Sequence, residues 1–210
     1  MILQTEVHGL IATNSYFYID DETRHGFLID PGAQAEKLLK IIARENFTIE
    51  KILITHGHFD HIGAVPELQS GLGVEVCMQK NGRAYAKNPA WNLSAYFGAD
   101  MTLDDVTYLD DFSEIFLAAN KNFSVKLIPL AGHTTDGAIF FGAKDCVAFV
   151  GDSIFLSSYG RTDFPGGDEL TLFKNIKEKI FTLPDETILL SGHSAPTTVA
   201  DEKNRPWFIA

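Results

Sequence analysis

Histidines and carboxylates that follow short apolar segments are the residues of this chain best able to do chemistry. The run THGHFDHIG (55–63) places four metal-capable side chains within six positions. His56 and His58 are two residues apart, so both imidazoles face the same side of an extended chain. Asp60 and His61 are adjacent at the start of a predicted helix, so their side chains diverge and could serve a second ion. The pattern predicts a metal site rather than a solvated polar loop.

Three further metal-capable side chains stand in a similar context. His133, Asp152 and His193 each follow an apolar segment through a turn that has glycine directly before the polar residue. Ligands collect at the carboxyl ends of strands in open α/β sheets, so we expect these residues to meet the first run. Seven nitrogen and oxygen ligands are too many for one tetrahedral ion and suit two ions that share a carboxylate. The predicted ligands are His56, His58, Asp60, His61, His133, Asp152 and His193.

Two other histidines and both cysteines lack this context. His8 and His25 are expected to be surface or capping residues. Cys77 and Cys146 lie in strand-like runs and are expected to be buried structural thiols rather than a disulfide pair.

Composition limits the class of protein. The 210 residues include 17 basic and 28 acidic side chains, a formal net charge of −11, and 45% are apolar. That apolar fraction is enough for a folded core, and the length predicts one domain, residues 1–210. No basic cluster is present, which argues against nucleic acid as a partner. The apolar stretches are too short to cross a bilayer and no secretory signal is visible, so we expect no membrane contact and a cytoplasmic location.

The order of apolar patterns predicts a mixed α/β protein with sheets packed between helices. The segment 81–122 is the least regular and is interpreted as a helical insertion. Strands are predicted at 14–20, 25–30, 51–54, 74–77, 124–130, 138–141, 146–150 and 187–190, and helices at 33–46, 66–70 and 168–181.

The motifs resemble those of a known family. THGHFDHIG (55–63) resembles the THxHxDHxG signature of the metallo-β-lactamase fold hydrolases, and IDPG (29–32) resembles their early motif. GHT (132–134), GD (151–152) and GH (192–193) resemble the three later motifs, in the same order. Within the family, NLS (92–94), FG (97–98) and GRTDFPGGD (160–168) look like features of the short glyoxalase II-like hydrolases.

This resemblance implies a fold and a division of the ligands. The fold would be of the α+β class, an αββα four-layer sandwich with the metal site at one edge. One ion would be bound by His56, His58 and His133. The other would be bound by Asp60, His61 and His193, with Asp152 bridging the two.

The resemblance also implies an activity. A metal-bridging hydroxide would attack the carbonyl of a thioester, namely hydroxyacylglutathione or a related small-molecule thiol conjugate. Asp60 is the expected catalytic residue, which orients the hydroxide and takes its proton. The expected cofactor is two divalent ions per chain, zinc first, with iron or manganese as other choices. The residues themselves suggest three further roles, each with a structural alternative. Asp30 is expected either to support the ligands from behind or to form the turn before Pro31-Gly32. Arg161 is expected to contact a substrate carboxylate or to form a structural salt bridge, and Tyr159 to contact substrate or to pack in the protein.

Two alternatives stay open at the level of sequence. A persulfide dioxygenase would use a single iron held by two histidines and a carboxylate. A lactonase or another hydrolase of the same fold would use both ions.

The sequence departs from the family pattern at the mouth of the site and at the chain's end. Thr135-Asp136 stands where the family commonly has Pro-Gly, and Ser194-Ala195 stands where it commonly has Gly-Pro. The sequence stops at Ala210, so we expect no C-terminal helical domain to bind glutathione. The expected consequence is a KM for lactoylglutathione nearer the millimolar end of the usual range.

Overall fold

The structure is a computed structural model that describes residues 1–205, and the predicted domain end at Ala210 lies outside those residues. One sheet has six strands that neighbour each other in chain order. These are β1 (Ile2–His8), β2 (Ala12–Ile19), β3 (His25–Ile29), β4 (Thr48–Ile54), β5 (Glu75–Gln79) and β6 (Thr107–Leu109). Strands β3 to β6 run parallel, so their carboxyl ends share one edge of the sheet.

A second six-stranded sheet faces the first, and a short hairpin lies beside it. Its strands are β7 (Glu114–Phe116), β8 (Ser124–Pro129), β9 (Ala138–Gly142), β10 (Val147–Gly151), β13 (Ile188–Ser191) and β14 (Thr197–Thr198). The hairpin is formed by β11 (Ile154–Phe155) and β12 (Ser158–Tyr159). In the order β14-β13-β10-β9-β8-β7, strands β8, β10 and β13 point the same way, because β9 is antiparallel to both of its neighbours. Their carboxyl ends therefore also share one edge.

Helices cover the outer faces of both sheets. They are α1 (Ala35–Glu45), α2 (Phe59–Ile62), α3 (Val65–Leu72), α4 (Gly82–Ala86), α5 (Glu169–Asn175) with a π-helical turn over Ile176–Ile180, and α6 (Val199–Lys203). No helix within residues 1–205 combines the length and apolar character that crossing a bilayer requires.

Alternation along the strands produces three stacked cores. In β2, Phe17 and Ile19 face the core under α1 and α3, whereas Tyr16 and Tyr18 face the space between the sheets. In β10, Phe149 faces the same inter-sheet space, while its neighbours pack under α5. Successive side chains of a strand point to opposite faces, so the apolar residues of each strand pack on both faces, as expected for sheets buried on both sides. The four-layer αββα sandwich predicted from the sequence is confirmed.

Some local predictions differ from the structure. The edge strand β1 was not predicted, because its side chains are mostly half-exposed and give a weak alternation. The segment 81–122 is only partly helical: besides α4 and a 3₁₀ turn at Ser94–Phe97, it contains β6 and β7. The predicted helical insertion is therefore largely wrong, since this segment carries the chain from one sheet to the other. Cys146 lies in the turn before β10 with positive φ and is partly exposed, whereas Cys77 is buried as expected.

Helix α5 fixes the loop that carries His133. Asp168 caps the helix, its Oδ1 accepting from the Thr171 amide at 2.7 Å, and its own amide donates to the Gly132 carbonyl at 2.8 Å. Gly132 has φ 139°, and a Cβ there would lie 2.3 Å from Leu172 Cα. A side chain at this position would push the helix off the loop, so glycine is required.

Candidate metal centre

The structure brings all seven predicted ligand residues together at the shared edge of the two sheets. Four come from the loop after β4, and one each from the loops after β8, β10 and β13. In residues 1–205 they form three groups whose ligand atoms could hold an ion: His56, His58 and His133; His56, His61 and Asp152; and Asp60, His61 and His193. All seven are buried except His193, whose side chain is 23% exposed.

The first group is a cluster of three imidazoles. His56 Nε2 lies 3.1 Å from His58 Nδ1, and His133 Nε2 also lies 3.1 Å from His58 Nδ1. The rings stand nearly perpendicular to one another, with centroids 4.7–4.9 Å apart. Three ring nitrogens therefore converge on one point.

The group of Asp60, His61 and His193, called the second group from here on, combines one carboxylate with two imidazoles. His193 Nε2 lies 3.2 Å from Asp60 Oδ2, and His61 Nε2 lies 3.7 Å from the same oxygen. Asp60 is 8% exposed and lies with His61 in the single turn of α2.

Asp152 lies between the two groups. Its Oδ1 is 3.3 Å from His61 Nε2, and its Oδ2 is 3.2 Å from His193 Nε2 and 3.8 Å from His133 Nε2. Gly192 makes room for it, since a Cβ at that position would lie 2.5 Å from Asp152 Oδ1. One carboxylate thus contacts histidines of both groups, the geometry that a bridging ligand needs.

The outer nitrogens of three histidines are held by hydrogen-bond acceptors, namely two backbone carbonyls and the carboxylate of Asp30. His133 Nδ1 donates to the Arg161 carbonyl at 2.6 Å, and His193 Nδ1 to the Ala12 carbonyl at 2.8 Å. His61 Nδ1 donates to Asp30 Oδ2 at 3.0 Å. Each Nδ1 therefore carries a proton, so in the neutral, metal-binding form of each ring Nε2 is the lone pair that faces the cluster.

Asp30 sets the fourth tautomer through a threonine. The Thr55 hydroxyl donates to Asp30 Oδ2 at 2.6 Å, so its oxygen is left to accept from His56 Nδ1 at 3.2 Å. The Thr55 amide donates to Asp30 Oδ1 at 2.8 Å and fixes the carboxylate. Asp30 holds this position with a positive φ of 48°. It therefore orients one histidine of each group.

The inward-facing atoms fit a divalent metal ion. With the protons on the outer nitrogens, lone pairs and carboxylate oxygens face each other across about 3 Å. His61 Nε2 and Asp152 Oδ1, both buried, lie 3.3 Å apart. Burial disfavours charge on His61, but the carboxylates of Asp152, Asp60 and Asp30 outweigh it and hold the pKa of His61 well above its usual value. A proton therefore lies between these acceptors in the metal-free protein, and a metal ion would take its place.

Burial and charge set the protonation states of the metal-free cluster. Burial lowers the pKa of His58 to about 3 and holds the pKa values of His56 and His133 below the usual range, so these imidazoles are neutral, as metal ligation requires. Burial also disfavours charge on His193. The carboxylates of Asp152 and Asp60 outweigh that effect and raise its pKa to about 10. A metal ion would replace that proton.

Asp136 is a buried carboxyl beside the site. The sequence did not reveal its structural role. Its Oδ2 accepts from the Gly57 amide at 2.9 Å, between the two histidines of the His-x-His run. Its Oδ1 is buried and has no hydrogen-bond partner within residues 1–205, and burial raises its pKa to about 7. The sequence did carry one signal, the replacement of the family's Pro-Gly by Thr135-Asp136. That replacement was expected to change the mouth of the site, but the Asp136 side chain points into the protein.

A cavity of about 440 Å³ opens onto the ligands. Tyr159 and Arg161, the expected substrate contacts, both line it. The Tyr159 hydroxyl donates to Glu169 Oε1 at 3.1 Å. Arg161 donates from Nε and Nη2 to the Asp163 carboxylate at 2.7 and 2.6 Å and stacks 3.9 Å from the Phe164 ring centroid. The guanidinium therefore already has a carboxylate partner.

Comparison with known proteins agrees with this geometry. A family model described as the metallo-beta-lactamase superfamily matches residues 8–193. The hydroxyacylglutathione hydrolase GloC of Haemophilus influenzae is 33% identical over 192 residues, which cover 90% of this chain and 89% of GloC. The crystal structure of the BLEG-1 B3 metallo-beta-lactamase superposes with a TM-score of 0.92 at 33% identity, covering 100% of both chains. The di-iron-bound form of TTHA1623 superposes with a TM-score of 0.81 at 28% identity, covering 98% of this chain and 99% of that one.

Proposed function

The chain belongs to the metallo-β-lactamase superfamily, whose members include metal-dependent hydrolases. From that premise we propose that it is a thioesterase that cleaves hydroxyacylglutathione or a related thiol conjugate. The observation that carries the proposal is the pair of ligand groups joined by Asp152. The similarity to GloC supports the substrate class.

The site's own residues divide the work of hydrolysis. Two divalent ions would polarise the thioester carbonyl and bring the pKa of a water near 7. His56, His58 and His133 would hold one ion, Asp60, His61 and His193 the other, and Asp152 would join them. Asp60 would orient the attacking water and accept its proton, from a position fixed by His193 Nε2 at 3.2 Å and by the Thr13 hydroxyl at 3.5 Å. A thiolate leaving group needs little help from a general acid.

Aromatic side chains surround the place where the carbonyl would lie. Phe59, Phe97, Phe155 and Phe164 line the cavity together with the ligands. Apolar walls exclude water from the carbonyl and strengthen the electrostatic contacts made there.

The donor set suits zinc, iron and manganese, and we propose zinc as the resident metal. The di-iron-bound form of TTHA1623 makes iron the other choice to be tested. We also propose a cytoplasmic location and a small-molecule substrate; the acidic charge of −11 argues against nucleic acid as the partner.

A second function has a geometric observation in its favour. The group His56, His61 and Asp152 offers two histidines and one carboxylate, the ligand type of mononuclear iron oxygenases. A persulfide dioxygenase would use one iron at such a site and consume dioxygen.

The experiment loads the chelated protein with zinc, iron or manganese, counts the bound metal, and follows thiol release from S-lactoylglutathione in air and under nitrogen. We expect two ions per chain and equal rates in both atmospheres. His58→Ala should abolish hydrolysis. His8→Ala is the matched control, because His8 is an exposed histidine that pairs with Glu6. Oxygen uptake with glutathione persulfide, without thioester hydrolysis, would overturn the proposal in favour of the dioxygenase. Cleavage of a chromogenic cephalosporin alone would favour the activity named for BLEG-1.

A further inference from the structure

A second cavity opens off the metal cavity. It has a volume of about 190 Å³ and shares Ile11, Phe59, Asp60 and Phe97 with the larger cavity as common walls. We call it the side chamber. Its remaining walls include Gly9 and Leu10 of the β1–β2 turn and Ala99 and Met101 after the 3₁₀ turn, together with Gly32, Gly63 and Ser94.

The walls of the side chamber are apolar and open to solvent. Leu10 is 72% exposed, Phe97 49% and Ile11 39%. Single exposed apolar side chains are ordinary, but three that line adjoining cavities beside a reactive site mark a binding surface. A ligand that covered them would release ordered water and gain hydrophobic free energy.

A buried polar network holds the chamber open. The Asn92 side-chain amide donates to the Met101 and Tyr85 carbonyls at 2.9 and 3.1 Å. The Ser94 hydroxyl accepts from the Met101 amide at 3.1 Å, and the Phe59 amide donates to the Asn92 carbonyl at 2.9 Å. Phe97 packs on Phe59 with ring centroids 4.7 Å apart. The chamber is therefore preformed and fastened to the metal loop.

Apart from the metal ligands, the lining side chains that the structure describes offer no free cation to an anionic arm. Arg161 is the one cationic lysine or arginine among the lining residues of the two cavities in residues 1–205, and Asp163 pairs with it. The exposed Arg161–Asp163 pair is worth little by itself, but it leaves this rim without net positive charge. The apolar walls are thus the stronger recognition feature.

We propose that the side chamber receives an apolar arm of the substrate, so that the preferred thioesters carry an aliphatic chain or ring next to the metals. This inference rests on the thioesterase function given above and names its substrate class. At about 30 Å³ per water-sized group, 190 Å³ holds roughly six non-hydrogen atoms. The arm is either the acyl chain or the thiol substituent, and both lie within reach of a carbonyl held at Asp60.

The test varies each arm separately on metal-loaded protein. One series extends the acyl chain from acetyl through butanoyl and hexanoyl to decanoyl on N-acetylcysteamine. The other extends the thiol of an acetyl thioester from ethanethiol to hexanethiol. In one series kcat/KM should rise roughly fourfold per methylene and level off once about six atoms are in place. The series that rises identifies the arm.

Two substitutions on the same segment separate the chamber from the surrounding surface. Ala99→Phe fills the chamber from an exposed position, so it should abolish the dependence on chain length. Ala95→Phe is the matched control, because Ala95 is also exposed but lines neither cavity. It should keep the wild-type slope.

The inference would be overturned if kcat/KM of the wild type did not change with chain length in either series. It would also be overturned if both variants lost the dependence on chain length equally. If no thioester is hydrolysed, the thioesterase proposal fails, and calorimetric binding of hexanoate and acetate then tests the chamber alone. Tighter binding of hexanoate that disappears in Ala99→Phe supports the chamber. Equal binding of the two carboxylates overturns it.

Discussion

Substitution of Thr55 by valine should weaken one metal group and spare the other. The Thr55 hydroxyl donates to Asp30 Oδ2 at 2.6 Å and accepts from His56 Nδ1 at 3.2 Å. Valine keeps the shape and removes both hydrogen bonds. His61 Nδ1 still donates to Asp30 Oδ2, so the tautomer of the second group stays fixed.

The magnitude follows from these two contacts. A hydrogen bond to a carboxylate is worth about 1.5–3 kcal/mol and a neutral one about 1 kcal/mol, so the metal-free protein should lose about 2.5–4 kcal/mol of stability. Loss of a partner that orients a ligand typically costs about 10–100-fold in metal affinity. We expect that loss at His56, and less than about threefold at the Asp60 group.

The assay needs each group in isolation. His193→Ala leaves the three-histidine group intact, and His58→Ala leaves Asp60, His61 and His193. Zinc affinity is then measured by competition with a chromogenic chelator, with and without Thr55→Val in each background. Equal losses in both backgrounds, or a larger loss in the His58→Ala background, would refute the assignment of Thr55 to His56. Asp30→Asn, which disturbs both arms, should weaken both groups.

Three further outcomes are expected. Asp152→Asn should reduce bound metal from two ions to one and lower thioester turnover at least 100-fold, measured by elemental analysis and thiol release; two ions with normal turnover would contradict its bridging position. The folded protein keeps the proton of Asp136 to about pH 7 and the unfolded chain releases it near pH 3.8, so stability of the chelated protein should fall as pH rises through that window. Asp136→Asn should remove this slope and be up to about 4 kcal/mol more stable at pH 8 in denaturant titrations, and an unchanged slope would contradict the burial argument. Arg161→Ala should change kcat/KM for a glutathione thioester by less than about threefold, because Asp163 already pairs with the guanidinium; a hundredfold loss would show a direct substrate contact.

The ligand cluster was predictable because each member follows a local rule. A short apolar strand, a tight turn and a polar residue appear in the sequence as a unit, and the sheet edge then collects the units at one place. That rule alone predicted His133 and His193 as ligands, and the structure places both at the cluster. The rule did not predict the outer partners of these two histidines. The carbonyl of Arg161 lies 28 residues from His133 in sequence, and that of Ala12, the first residue of β2, lies 181 residues from His193.

Other features depend on tertiary contacts that leave no local pattern. Asp136 is buried because it meets Gly57, 79 residues away. The Arg161–Asp163 pair is different, because its partner lies only two residues along the chain and the sequence GRTDF contained the signal. A three-residue strand such as β6 is too short for periodicity to reveal.

The same network that fixes the tautomers also links metal binding to stability. Acceptors on the outer nitrogens turn the Nε2 atoms of His133 and His193 inward, toward the carboxylates of Asp60 and Asp152. Lone pairs facing carboxylates would repel each other, so the metal-free cluster is relieved by protons that His61 and His193 take up. An ion that binds there gains the affinity of its ligands and removes this repulsion, so metal affinity and folding stability rise together. Thr55 and Asp30 thus act on both quantities through the same contacts.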